Sequence, residues 1–310
     1  MLQRRIHRSP RSRRFIPNAQ TVWSGAGAAD LFADRLQEKR RGLSRTMARV
    51  VRYIEQNRVA VLASSAAEIA RRTSTSDATV IRTVQALGFA SLAEMRRELI
   101  KDLERGSPAN AMSRTLKETG ESADRAIELV LDTHVKGLDQ LRRAQPKIAE
   151  AVGRLDRAAR IVIFGVGPTA LLAEYAAFTL RRSGRQAYAL NRTGIELADQ
   201  LLDLRPPDVL LVLAYGRAYP EVVCVFDEAA RLRIPIVLIT DSLAKELADR
   251  AELLVPVPRG DAEQAALHGV TLVCLEAIVM GLAAVADKRS LTALDRLMEL
   301  RRGLGGRSAD

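Results

Sequence analysis

Three unbroken apolar runs, Ile161–Phe164, Val209–Leu213 and Ile236–Ile239, most narrow what this chain can fold into. A strand with one face in water alternates apolar and polar residues, whereas a strand covered on both faces reads as a continuous apolar run. Candidate strands fall at 160–164, 186–190, 208–214, 234–240 and 252–257. The segments between them, 169–182, 194–203, 219–231 and 243–249, have helical length and period. Such alternation predicts a doubly wound α/β domain, a parallel sheet with helices on each face. Two further helices, about 263–285 and 290–302, close it, and no run approaches the roughly 18 apolar residues of a membrane span, so no membrane partner is expected.

Upstream the texture is purely helical. Met47, Val50, Val51 and Ile54 are spaced for one apolar face of a helix over 44–57. Ser65-Ala66-Ala67-Glu68 and Ser91-Leu92-Ala93-Glu94 are capping boxes, each opening a helix. Between them lie a turn at Thr73-Ser74-Thr75, a second cap at Ser76, a buried stripe of Val80, Val84 and Leu87, and a glycine stop at Gly88-Phe89. Two short helices joined by a tight turn inside a small bundle form a helix-turn-helix, whose second helix offers its first turn to the DNA major groove. The expected divisions are a flexible basic arm over 1–35, this head over 36–105, a Gly/Pro/Ser linker over 106–122, the α/β domain over 123–302 and a tail over 303–310. The α/β domain opens with a long amphipathic helix bearing Ile127, Val130, Leu131, His134, Leu138 and Leu141 on one stripe.

Charge divides the chain at the same place. Residues 1–105 hold 21 Lys and Arg against 10 Asp and Glu, while residues 106–310 hold 27 against 27, so the whole net charge of +11 lies in the first third. A basic module on a neutral one implies a polyanion-binding head on a body with another task. Within the head, residues 59–105 net only +1, which leaves general phosphate attraction to the arm and to Arg45, Arg49, Arg52 and Arg58 of the first helix. Ser76, Asp77, Thr79, Arg82 and Thr83 are the expected outward residues of the recognition helix. Arg82 suits a guanine edge or a phosphate, the hydroxyls suit phosphate or base contacts, and Asp77 suits a cytosine amino group or the helix N-terminus itself.

Ser76-Asp77-Ala78-Thr79-Val80-Ile81-Arg82 followed by Leu87-Gly88-Phe89, with Ala67-Glu68-Ile69-Ala70 before it, resembles the helix-turn-helix of RpiR-type (MurR-type) bacterial transcription regulators. The body is similar to the sugar isomerase (SIS) domain that follows this motif in that family, and together the two resemblances span about residues 44–302. They imply a five-stranded α/β sandwich, a homodimer or homotetramer and a phosphosugar effector; the reading as a whole expects a palindromic double-stranded operator and a small anionic effector, a phosphosugar or related metabolite.

Ligands of open parallel sheets bind beyond the carboxyl ends of the strands. The candidate effector residues there are Gly165, Gly167 and Thr169 after the first strand, Asn191 and Arg192 after the second, Tyr215, Gly216 and Arg217 after the third, and His268 before the penultimate helix. Gly165, Gly167 and Ala170 also fit a dinucleotide fingerprint, but the second strand ends in Leu190-Asn191-Arg192 with no acid until Glu196, which reads against a nicotinamide site. Thr169 takes a position where the resemblance expects Ser. Where the family reads Ser-x-Ser-Gly-x-Thr, this chain reads Ala214-Tyr215-Gly216-Arg217-Ala218-Tyr219, so Arg217 is expected to replace several hydroxyl contacts with one guanidinium fork.

No cofactor or metal is expected. Cys224 and Cys274 cannot build a disulfide framework or a zinc site, and no base and acid among the three histidines and nearby carboxylates has catalytic spacing. A cytoplasmic regulator rather than an enzyme is expected, with a sugar-phosphate isomerase or a purely oligomerising SIS domain as the alternatives.

Overall fold

The computed structural model describes residue 39 and residues 42–304, apart from 106, 121, 217–218, 242–244 and 262–263. The basic arm over 1–35, Arg217, and tail residues 305–310 therefore lie outside the described residues.

The head is built from α1 (Arg45–Gln56), α2 (Arg58–Ala63), α3 (Ala66–Thr73), α4 (Asp77–Ala86) and α5 (Leu92–Arg105). Its core joins Val50, Val51 and Ile54 of α1 to Val61, Ile69, Val80, Val84, Leu87, Phe89, Met95 and Leu99. The Ser65 box forms in full, while at Ser91 the Glu94 carboxylate accepts from the Ala90 N–H instead. Ser65 Oγ accepts from the Glu68 N–H at 3.1 Å while the Ser65 N–H donates to Glu68 Oε2 at 2.7 Å. At the end of α4, Gly88 takes φ 86°. The Phe89 N–H then reaches Val84 O at 3.2 Å and the Gly88 N–H reaches Gln85 O at 2.9 Å, a complete Schellman stop.

The segment expected as a linker is instead largely helical, as α6 (Pro108–Thr119). The residues that read as breakers are its punctuation: Ser107 precedes it, Pro108 fills the first position, where its missing N–H costs nothing, and Gly120 ends it at φ 59°. The next helix, α7 (Ala123–Arg143), meets the body through its smallest residue, since a Cβ at Gly137 would fall 2.6 Å from Val270 Cγ2. Ile127, Val130, Leu131 and Leu138 of the expected stripe stay exposed, and Leu141 is buried.

The body continues through α8 (Gln145–Asp156), β1 (Arg160–Gly165), α9 (Pro168–Arg182), β2 (Ala187–Leu190), α10 (Ile195–Leu201), β3 (Asp208–Leu213), α11 (Pro220–Leu232), β4 (Ile236–Thr240), α12 (Lys245–Ala248), β5 (Leu253–Pro256), α13 (Gly269–Val285) and α14 (Asp287–Gly303). The five strands are all parallel in the order β2-β1-β3-β4-β5. Each apolar run feeds two cores. Ile161, Ile163, Leu211, Leu213, Val237 and Ile239 face α8, α9 and α13. Val162, Phe164, Leu210, Val212, Ile236 and Leu238 face α10, α11 and α12. Register pairs Gly165 with Leu213, Leu213 with Ile239, and Thr240 with Pro256, so four strands end at one edge. At the opposite edge Arg160 clamps buried Asp208 with two bonds of 2.7 and 2.8 Å. Among the described residues no single helix is long and apolar enough to cross a membrane, and no group of three or more His, Cys, Asp or Glu could hold a metal ion.

Candidate functional site

The helix-turn-helix turn is held from three sides. Ser74 adopts the left-handed conformation at φ 50°, Thr73 Oγ1 donates to Ile69 O at 2.8 Å, and Arg49 Nη2 donates to Ser74 O at 3.2 Å. Arg49 thus fastens α1 to the turn, and Arg45 stands exposed on the first turn of α1. At the start of α4, Ser76 Oγ accepts from the Thr79 N–H at 3.2 Å and lies 2.9 Å from Thr79 Oγ1. Asp77 and Arg82 are exposed, and Arg82 Nε rests on Ala78 O at 3.2 Å. Thr83 is a correction. It lies three residues after Val80 and one before Val84, on the buried stripe, where it is fully buried and its hydroxyl donates to Thr79 O at 2.7 Å.

At the carboxyl edge of the sheet, Gly165 and Gly167 have backbone reasons to be glycine. A Cβ at Gly165 would overlap the Thr169 carbonyl, and Gly167 precedes α9 at φ 61°, ψ −129°. Thr169 is buried and its hydroxyl is already engaged, accepting from the Val166 N–H at 2.9 Å and facing Val166 O at 2.9 Å and Leu213 O at 3.2 Å. It therefore ties the first loop to the end of β3 rather than offering a free hydroxyl. Asn191 is likewise occupied, by Gln200 and Glu174, while Arg192 is exposed and lies 3.6 Å from Glu196. Gly216 sits at φ 63° beside the segment containing Arg217.

Tyr215 is a second correction. Expected at a ligand surface, it turns into the core, 6 % exposed, with its hydroxyl 2.7 Å from Thr271 Oγ1. The cause is a cation that the motif reading passed over. Arg259, 4 % exposed in the segment after β5, stacks its guanidinium 4.0 Å from the Tyr215 ring centroid. The same guanidinium donates from Nε and Nη2 to Asp241 at the end of β4, at 3.2 and 3.3 Å. His268, immediately before α13, meets Tyr215 edge-on with centroids 6.3 Å apart, and its Nδ1 is buried without a partner. Burial, then the nearby Arg259 charge, depress its pKa to about 4, so it is neutral at neutral pH. Burial likewise pushes the Tyr215 hydroxyl far above its ordinary value.

Asp241, Arg259, Tyr215, His268 and Thr271 thus form one polar cluster at the ends of β3 and β4. No motif pointed to Arg259, but a lone arginine between an apolar strand and a helix was a signal, because buried cations need partners. The same segment reaches the neighbouring helices. The Leu267 N–H returns to Arg259 O at 2.9 Å, the Ala265 N–H donates to Thr115 Oγ1 of α6 at 2.9 Å, and Gln264 Nε2 donates to Glu118 of α6.

Residues 31–106 match the helix-turn-helix domain of the rpiR family and residues 154–284 match the SIS domain, together roughly two thirds of the chain. The bifunctional protein glk of Burkholderia thailandensis is 25% identical over 263 residues, 83% of this chain and 40% of that protein. Its counterpart from Paraburkholderia xenovorans is 24% identical over 275 residues, 87% of this chain and 42% of that protein. The chain thus spans well under half the length of these curated relatives. Among solved structures, the Vibrio vulnificus NanR protein complexed with ManNAc-6P is 22% identical, covers 90% of this chain and 100% of its own, and superposes with a TM-score of 0.50. The sugar isomerase domain of an RpiR transcription factor from Sphaerobacter thermophilus is 20% identical, covers 56% of this chain and 99% of its own, and has a TM-score of 0.48.

Proposed function

We propose that this chain, a member of the rpiR family whose helix-turn-helix head is joined to a SIS domain, is a transcription regulator that binds a palindromic operator under the control of a small anionic metabolite. The observation that carries this reading is the exposed, capped first turn of α4 with Arg82 on its outer face, in a chain whose whole net charge lies in residues 1–105. Affinity comes from phosphate attraction by the basic third, with Arg45 among the contacts, and sequence choice comes from Ser76, Asp77, Thr79 and Arg82.

The effector is a phosphosugar or a related anion, bound beyond the carboxyl ends of the strands, where the backbone around Gly165, Gly167 and Gly216 and the Arg192 side chain are within the same edge. The NanR complex with ManNAc-6P supports a hexosamine phosphate as the first class to try. The apolar stripe of Ile127, Val130, Leu131 and Leu138 on α7 supports a homo-oligomer, in which a second copy covers it. Two heads in one oligomer then read two half-sites about one helical turn, or a multiple, apart.

A gel shift on the DNA upstream of its own gene tests the reading. A discrete complex is expected on this DNA and not on scrambled DNA, and Arg82→Ala is expected to weaken it by about 1–3 kcal/mol. A chain that binds both DNAs alike, or neither, would overturn it, and turnover of a sugar phosphate without DNA binding would favour an isomerase.

A further inference from the structure

Three arginines of the body, two of them buried and Arg160 largely so, hold carboxylates, and they are not paired alike. Arg160 holds Asp208, whose carboxylate is 2 % exposed, at 2.7 and 2.8 Å. Arg185 holds Asp156 at 2.6 Å and two backbone carbonyls at 3.1 Å. Both pairs lie away from the ligand edge and have the short contacts of settled charge-assisted bonds. Arg259 differs in contact length and in place. Its contacts to Asp241 are 3.2 and 3.3 Å, and the pair sits at the carboxyl edge of β3 and β4.

A buried guanidinium with no anion is strongly unfavourable, so some oxyanion must occupy this fork in every state of the molecule. The fork is pre-organised by the Tyr215 ring beneath it, and a phosphate or carboxylate presents the same two-oxygen edge that Asp241 does. His268, near enough to feel the charges of both Arg259 and Asp241, has a buried Nδ1 without a partner.

We propose that Asp241 is a resident counter-anion and that a phosphate or carboxylate group of a small ligand exchanges with it on Arg259, with His268 Nδ1 as a further contact. This rests on the reading of the SIS domain as effector-binding, and it places the ligand's charged group deeper than Arg192 or Gly216. Asp241 then sets affinity by competition: a ligand has to displace it, and the displaced carboxylate swings to solvent at the end of β4. Because Arg259 O also anchors the segment that grips α6, exchange at the fork is felt at the helix leading to the head.

The test uses the full chain and inorganic phosphate, titrated at constant ionic strength while the melting temperature is followed. Saturable stabilisation is expected in the unaltered protein, with a half-saturating concentration at least tenfold lower in Asp241→Asn and no saturable response in Arg259→Gln. Equal half-saturation in the unaltered protein and Asp241→Asn, or a retained response in Arg259→Gln, would overturn the proposal. Crystals of the unaltered protein grown in phosphate give a readout that needs no variant: phosphate on Arg259 with Asp241 turned away is expected, and an undisturbed Arg259–Asp241 pair at saturating phosphate refutes the exchange. DNA binding on the same preparations separates the two readings. Phosphate exchange without DNA binding removes the regulator and keeps the site, and the reverse removes only the site.

Discussion

His268 is held neutral by burial and by the positive charge of Arg259, against a smaller opposing effect of Asp241; Tyr215 also lies against its ring. The unfolded chain takes up a proton at this position near the ordinary histidine pKa of 6.5, the folded chain only near 4. Between those values the unfolded state binds more protons, so stability falls as the pH is lowered through that window and this residue has no effect above it. Urea unfolding from pH 7 to 4 is expected to show a shallower loss in His268→Gln than in the unaltered protein, and identical slopes would contradict the assignment. Single residues were also where sequence reading reached least far. Thr83 reads as outward from its polarity, but its spacing from Val80 and Val84 puts it inside. Tyr215 reads as a ligand contact from its place in the loop, but a buried Arg259 from a distant segment stacks on its ring, and no local pattern encodes that contact. Gly165 and Gly167 read as an anion loop, whereas the structure gives backbone reasons for them, a close approach to the Thr169 carbonyl and a positive φ.

Elements were legible where caps and periodicity agree. The two capping boxes and the Leu87-Gly88-Phe89 stop place the helix-turn-helix to within a residue or two. Helix α6 was missed because Pro108 and Gly120, taken singly, mark breaks, and only their order, proline at the start and glycine at the end, marks a helix. Thr115 Oγ1 and Glu118 fasten it to residues 264–265 of the body. Thr115→Val together with Gln264→Ala is therefore expected to speed amide hydrogen exchange across 108–119 by severalfold while β1 and β3 keep their protection. Unchanged exchange in α6 would show that these bonds do not hold it.

At the scale of the whole molecule, three apolar runs alternating with helical segments pointed to a parallel sheet covered on both faces, because a strand buried on both sides carries no polar alternation. Charge partition marked the boundary between a basic first third and a neutral remainder without reference to any motif. The stripe on α7 was less legible: an apolar stripe reads as buried, yet Ile127, Val130, Leu131 and Leu138 face outward in the single chain. The proposed regulator makes one thermodynamic demand, that ligand and operator alter each other's affinity by the same factor. The most direct measurement is operator affinity by fluorescence anisotropy, at fixed salt, with and without each member of a panel of hexose and hexosamine phosphates at saturation. A change of about 5–150-fold with at least one member is predicted. An operator affinity that none of them alters would contradict the account.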